Sequence, residues 1–215
     1  LENNLDRDDA LVILCETTAG ADDGELFFER HRAEGLVYDD GRLKTASYNA
    51  SEGFGLRAVH GDVTGYAHST EIDKAALLRA SETALLAVGQ GGGTLAPPPQ
   101  RTNRKLYLSN NPITGASFAL KIELLKEIDA FVRELDPRVI QVSVSLAASI
   151  QEIEILRPDG MSIRDTRPMS RLNISVIVEH KGHRESGTCG GGGRIGLDGL
   201  ISPLDWQAKA REALR

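Results

Sequence analysis

Apolar residues recur along this chain with two periods, and the changes from one period to the other mark out its elements. Steps of three and four connect Phe118, Ile122, Leu125, Ile128, Val132 and Leu135, so Ser117 to Leu135 is predicted to be an amphipathic helix that Asp136-Pro137 ends. A period of two takes over at once. Ile140, Val142, Val144, Leu146, Ala148 and Ile150 alternate with Gln141, Ser143 and Ser145, and Ile153 and Ile155 alternate with Glu152 and Glu154. Leu172, Ile174, Val176 and Val178 make a further one-sided strand, with turns expected at Asp159-Gly160 and at His180-Lys-Gly-His183. Nearer the start, Leu26 and Phe28 alternate with Glu25, Phe27, Glu29 and His31. Short strands are expected at Leu36 to Tyr38, Arg42 to Asn49, Gly53 to His60 and Val63 to His68, with hairpin turns at Asp40-Gly41 and Gly61-Asp62.

Three more helices frame these strands. Asp6 to Ala19 could contain a buried strand at Leu11-Val-Ile-Leu-Cys15, but its length, acidic first turn and Gly20 stop favour a helix. Thr70 to Asp73 reads as a capping box before a helix with an apolar face of Leu77, Leu78, Ser81, Ala84, Leu85 and Val88. Asp205 to Arg215 opens a last helix, capped by Asp205 and with Trp206 in its first turn. Gly89 to Gln100, with its GGG and PPP, reads as a linker, and Lys105 to Leu108 as a short strand beyond it. The fold class that follows is α+β: antiparallel sheets packed with helices, in two related helix-meander-helix halves at 1–88 and 105–215 joined by a Gly/Pro linker at 89–104. Asp40-Gly41 corresponds to Asp159-Gly160, Gly61 to Gly182 and Thr64-Gly65 to Ser186-Gly187, at a spacing of about 120 residues. Duplication explains this spacing; so would the common use of such turns in meanders.

The 215 residues, 40% of them hydrophobic, suffice for a core that needs neither metal nor disulfide staples. A net charge of −6 with scattered basic residues argues against nucleic acid as a partner. No run of 18 apolar residues suggests a membrane span, and Leu1-Glu-Asn-Asn lacks the marks of a signal peptide, so a cytoplasmic location is expected. The missing initiator methionine, and an end at Arg215 inside an expected helix, suggest a piece of a longer protein. Cys15 reads as a small core residue. Cys189 adjoins a glycine run, with no neighbouring arrangement that would make it a nucleophile.

Catalytic signals are sparse. His180 and His183 form an H-x-x-H pair, but no third ligand follows at metal-binding spacing, and His31, His60 and His68 stand alone. Gly53-Phe-Gly55 lacks the third glycine of a dinucleotide fingerprint and reads as a strand where two backbones come close. Glu25, Glu29, Glu152, Glu154, Glu179 and Glu185 alternate with apolar residues and read as the wet face of a half-buried sheet. No catalytic and no metal-ligating residue is therefore assigned. The remaining candidate is Gly190, Gly191, Gly192, Gly193 and Arg194: a floppy connection, or a glycine edge open to an extended peptide or a partner subunit, with Arg194 placed to meet a carboxylate.

The blocks around these residues carry a family likeness. Asp159-Gly160 through Arg167-Pro168, Arg171-Leu-Asn-Ile-Ser-Val-Ile-Val-Glu179, Arg184-Glu-Ser-Gly187 and Gly190-Gly-Gly-Gly-Arg194 resemble the amino-terminal region of the TldD/PmbA (TldE) family, once described as modulators of DNA gyrase. Glu25-Leu-Phe-Phe-Glu29, Gly41 to Asn49, Gly53-Phe-Gly-Leu-Arg-Ala-Val59 and Thr64-Gly-Tyr-Ala67 agree, and the glycine-arginine run is more similar to the TldD type of subunit. The resemblance implies a zinc metallopeptidase that trims small or unfolded peptides in a chamber between two kinds of subunit. Its zinc would sit on an H-E-x-x-x-H helix in a carboxyl-terminal domain, and this chain has no such motif. Implied here are no cofactor in this chain, zinc in the absent domain, and a part in subunit assembly and peptide admission. The implied partners are a PmbA/TldE-like subunit or a second copy. A non-catalytic module that binds partners by strand addition is the alternative.

Overall fold

The computed structural model describes residues 5–89, 94, 97 and 108–215. The expected linker lies mostly, and the expected strand at Lys105 to Leu108 almost wholly, outside the described residues. The elements are α1 (Arg7–Thr17), β1 (Asp23–Asp39), β2 (Arg42–His60), β3 (Val63–Ser69), α2 (Lys74–Val88), α3 (Phe118–Leu135), β4 (Val139–Leu156), β5 (Ser162–His180), β6 (His183–Gly193), a 3-10 turn (Leu197–Gly199) and α4 (Pro203–Ala213). The strands hydrogen-bond in the order β3-β2-β1-β4-β5-β6, so each helix-strand-strand-strand-helix run forms a meander with the same strand order.

The strands are longer than their alternation implied. Expected breaks near Gly35 and between Asn49 and Gly53 are absent, and β1 and β2 run 17 and 19 residues. Ladder bonds to neighbouring strands outweigh the weak local preference of Gly35, whose missing Cβ leaves room for Ser47 Oγ at 3.0 Å from where a Cβ would stand. The turns form where expected. Asp40 and Gly41 both have positive φ, as do Lys181 and Gly182, which is the backbone twist that two-residue hairpins need.

Two compact units result, each with its own core. One comprises Leu1–His31, Ser51–Arg104 and Glu152–Thr166. In it α1 and α2 pack together over Leu26, Phe28, Phe54, Leu56 and Leu156, with Ile13, Leu14 and Leu77 fully or nearly buried. Asp6 caps α1 by accepting the amide of Asp8 at 2.7 Å. α2 is capped by Asp73, which accepts the amide of Ala76, and not by a box beginning at Thr70. Its buried face is Ala76, Leu77, Ala80, Ser81 and Ala84, whereas Leu78 and Leu85 point outward. The expected face was rotated because small alanines are selected where α2 meets α1, and Thr17 and Ser81 share a hydrogen bond of 2.6 Å there. Cys15 is exposed, contrary to expectation, and lies on the outer side of α1 with its thiol 3.3 Å from the Pro158 carbonyl.

The other unit comprises Arg32–Ala50, Lys105–Gln151 and Arg167–Arg215. Helices α3 and α4 cover Leu36, Val142, Val144, Leu146, Leu172, Ile174 and Val176, and Phe131 meets Trp206 edge-on at 5.3 Å. The cap of α4 is Ser202 followed by Pro203 at the first helical position, so Asp205 falls within the first turn instead of capping it. Periodicity missed Lys121, which sits on the buried face of α3 with only 2% of its surface exposed. Its ammonium donates to the Glu34 carboxylate of β1 and, at 2.6 Å, to the Ile113 carbonyl ahead of the helix. Arg133, four residues after Asp129, bridges that carboxylate at 3.1 Å to Asp40 at 2.8 Å and so ties the β1-β2 turn to α3.

Both terminal helices approach a strand where glycine stands. A Cβ on Gly65 of β3 would lie 2.2 Å from the Ala84 carbonyl oxygen of α2, and one on Gly187 of β6 would lie 2.0 Å from the Ala213 carbonyl oxygen of α4. Backbone cannot swing aside as a side chain can, so Gly65→Ala and Gly187→Ala are each expected to destabilise by about 1–3 kcal/mol, whereas Gly193→Ala, which meets nothing, should be nearly neutral. Thermal melts of the three variants check this. Lys121→Ala is expected to lower the free energy of unfolding by about 3 kcal/mol, because it strands Glu34, and Lys121→Met with Glu34→Gln by less, as measured by denaturant titration.

Candidate functional site

Gly190 to Gly193 complete β6 and do not form a free loop. They pair antiparallel with β5, Asn173 opposite Gly190, Leu172 opposite Gly191, Arg171 opposite Gly192 and Ser170 opposite Gly193. A Cβ on Gly192 would stand 2.2 Å from the Ser170 carbonyl oxygen, and one on Gly190 would stand 2.4 Å from Asn173 Oδ1 and 2.9 Å from the Leu172 carbonyl oxygen. Two glycines of the run are therefore required by the close approach of β5 itself. Gly191 faces the flexible end of Lys209 on α4, 2.6 Å from a would-be Cβ, and Gly193 faces open space. Arg194 follows directly on the strand and is exposed. The Ser170 hydroxyl donates to the Ile195 carbonyl at 3.0 Å, which holds the segment after the run against β5.

β6 is the last strand in the hydrogen-bonding order, so among the described residues nothing pairs with its outer edge. Its side chains there are small or absent: Thr188, Cys189 and the four glycines. Cys189 packs half-buried against the core of its unit. Chemically, this is a smooth strip of backbone donors and acceptors with a cation at its end, suited to pairing with an extended chain.

The glutamates expected on a wet face are engaged individually. Glu25 pairs with Arg57 at 3.2 Å, and Glu179 with Arg184 at 2.7 Å. Glu154 is a correction: only 7% of its surface is exposed. Glu154 keeps the inward parity of Val142 to Ile150 and of Leu156, with Ile153 buried beside it, so the alternation of Ile153 and Ile155 with Glu152 and Glu154 did not set the buried face here. Burial pushes its pKa up, but the Ser162 hydroxyl at 2.8 Å and the Arg164 guanidinium at 3.1 Å more than offset this and hold the carboxyl's pKa below its ordinary value. Glu154 lines an open cleft of about 720 Å³ within the first unit, with Glu29, Arg30, Glu52, Glu71 and Arg164 around it. Arg30 and Glu52 pair across it at 3.0 Å. Arg164 likewise holds Glu154, and Arg79 holds Glu71 at 2.9 Å.

Nor do the residues fit a zinc ion. His180 and His183 face each other across the turn, both exposed, and among the described residues no three His, Cys, Asp or Glu side chains are grouped to hold a metal. His68 stacks against Tyr66 at 5.9 Å, and His60 lies 3.5 Å from Asp22. Gly53 is where two backbones meet, as its sequence suggested, since a Cβ there would lie 2.6 Å from the Ser69 carbonyl oxygen.

Comparison with known proteins converges on one family. Residues 24–88 match the PmbA/TldA metallopeptidase domain 1, and residues 111–215 match the PmbA/TldA metallopeptidase central domain. A metalloprotease TldD homolog of Haemophilus influenzae is 36% identical over 201 residues, covering 90% of this chain and 42% of that protein. One from Buchnera aphidicola subsp. Acyrthosiphon pisum is 34% identical over 97% of this chain and 44% of that protein. The chain thus spans less than half the length of these relatives. Among solved structures, a Thermotoga maritima protein named as a modulator of a DNA gyrase superposes with a TM-score of 0.77 at 16% identity, covering 96% of this chain and 47% of that one. TldE from Thermococcus kodakarensis superposes with a TM-score of 0.71 at 16% identity, over 95% and 47%. The structural likeness establishes the fold, and together the sequence matches show that this chain belongs to the PmbA/TldA (TldD/PmbA) metallopeptidase family.

Proposed function

We propose that this chain is the amino-terminal, non-catalytic portion of a TldD-like zinc metallopeptidase subunit, and that it serves subunit assembly and the admission of peptide substrates. The observation that carries the reading is the outer edge of β6, where Gly190 to Gly193 expose backbone without side chains and Arg194 follows. An extended peptide or a strand of a PmbA/TldE-like subunit would add to that edge through main-chain hydrogen bonds, which accept any sequence. Small or unfolded peptides suit this because a folded substrate offers no free strand. Zinc and its activated water belong, on this reading, to a further domain, consistent with relatives more than twice this length that are named metalloproteases. The cytoplasm is the proposed location; no described helix is long and apolar enough to cross a membrane. A free-standing module that binds partners by strand addition is the second reading, supported by the same open edge.

The parent reading frame separates the two: an H-E-x-x-x-H segment beyond Arg215 is expected, and a frame that ends without one leaves the second reading. In the full-length protein with its partner subunit, Arg194→Ala is expected to weaken peptide cleavage or subunit association by about tenfold, equivalent to about 1.4 kcal/mol. Gly192→Ala serves as the contrast, since its Cβ strikes the β5 backbone and should lower stability first. Cleavage of an unstructured peptide, sedimentation and thermal melts, measured separately, decide it. Unchanged cleavage and association in Arg194→Ala would return the run to a purely structural role.

A further inference from the structure

Arg171 stands on β5 directly beside the glycine run, on the sheet face turned away from the helices. In the β5-β6 ladder Arg171 lies opposite Gly192, Asn173 opposite Gly190 and Ser175 opposite Thr188. These positions share one face: a Cβ on Gly192 would lie 3.0 Å from the Arg171 Cβ, one on Gly190 would lie 2.4 Å from Asn173 Oδ1, and the Ser175 and Thr188 hydroxyls bond each other at 3.1 Å. Leu172, Ile174 and Val176 alternate with them and are buried beneath α3 and α4. The other polar groups of this face are engaged. Asn173 reaches the Thr188 hydroxyl at 3.4 Å, and farther along Glu179 holds Arg184 at 2.7 Å. Arg171 is exposed and has no hydrogen-bond or ion-pair partner among the described residues. On the helix side, by contrast, Lys209 beside Gly191 is already held by Asp205 at 2.6 Å.

A side chain at position 190 or 192 would stand between β5 and any chain paired to the outer edge of β6. Glycine at both leaves the way across open. Neighbouring strands lie about 4.8 Å apart, so a chain added to β6 would run roughly 9.6 Å from β5, within the combined reach of an arginine and a glutamate. A guanidinium meets a carboxylate with two parallel N–H donors, which makes a carboxylate its best-matched partner. We propose that Arg171 is a specificity-determining residue that reaches across Gly192 to a carboxylate side chain of an extended peptide added to β6, so that acidic peptides are selected. This role rests on the strand-addition reading of β6 and adds to it the one position where the peptide's sequence is read. Main-chain bonds select no sequence. The peptide residue that is read lies opposite Gly192 and points away from the helices; its neighbours in the peptide point to the helix side, where Lys209 is neutralised, and add no such preference.

Fluorescence anisotropy of the whole chain with short labelled unstructured peptides, identical except for a central Glu, Gln or Lys, tests this role. At low salt the Glu peptide is expected to bind about fivefold more tightly than the Gln peptide, and the Lys peptide more weakly than both, with the differences shrinking at about 1 M salt. Arg171→Gln should bind the Glu and Gln peptides alike, and Arg171→Glu should favour the Lys peptide. Both variants should melt as the parent does, because Arg171 is exposed. N-methylation of alternate amides should abolish binding of the Glu peptide, since an added strand needs its main-chain donors. Methylation-sensitive binding without the acidic preference, or a preference that Arg171→Gln retains, would overturn the role of Arg171 and leave strand addition standing. Binding indifferent to methylation, or no binding of any of the peptides, would overturn both.

Discussion

The closest constraint in this fold is the seating of a helix backbone directly on a glycine of an outer strand. α2 lies on β3 at Gly65 and α4 on β6 at Gly187, each with a helix carbonyl oxygen where a side chain would otherwise be. Packing at this distance lets the helix lie low enough for its alanines to reach the sheet core: Ala80 and Ala84 in one unit, Ala210 and Ala213 in the other. Larger helix residues would not fit, and a larger strand residue would lift the helix off. The paired use of Thr64-Gly65 and Ser186-Gly187, at matching places in two meanders of the same strand order, fits descent of both halves from one ancestor.

Charge organises what apolar packing leaves open. Each unit carries inward ionic groups beside its core. In one, Arg157 and Arg57 both clasp Asp23 at 2.8 Å, and although burial pushes the pKa of Asp23 up, these two guanidinium groups bring it below the usual carboxylate range. In the other, Lys121 joins α3, β1 and the segment before α3. Such pairs contribute little net stability over an apolar equivalent, yet they are intolerant of losing one member, so they fix which surfaces meet. Function, on the proposals above, is left to the strands that have no neighbour.

On the proposed reading, those edges are where this chain would recognise another. Glu52, Glu71 and Glu154 of the first unit are paired with arginines, and no metal group forms among the described residues. What the outer strands expose differs: glycine-smooth backbone at β6, polar residues at β2. The relatives that this chain matches exceed it more than twofold in length.

The sequence by itself determined the element order, the α+β class, the hairpin turns and the family, because period-two and period-3.6 patterns and glycine turns are local properties written into short stretches. It also pointed to the glycine run as unusual. It could not say that β1 and β2 pass unbroken through Gly35 and Gly53, since that depends on ladder bonds from strands far away in the chain. The buried face of α2, the inward turn of Glu154 and the burial of Lys121 were likewise decided by partners: α1, Arg164, and Glu34 with Ile113. Above all, which strands lie at the edges is a property of the pairing order alone. Arg42 to Glu52 reads as an ordinary polar strand until β3 is seen to stop short of it, and Gly190 to Gly193 reads as a loop until β5 is seen to hold it.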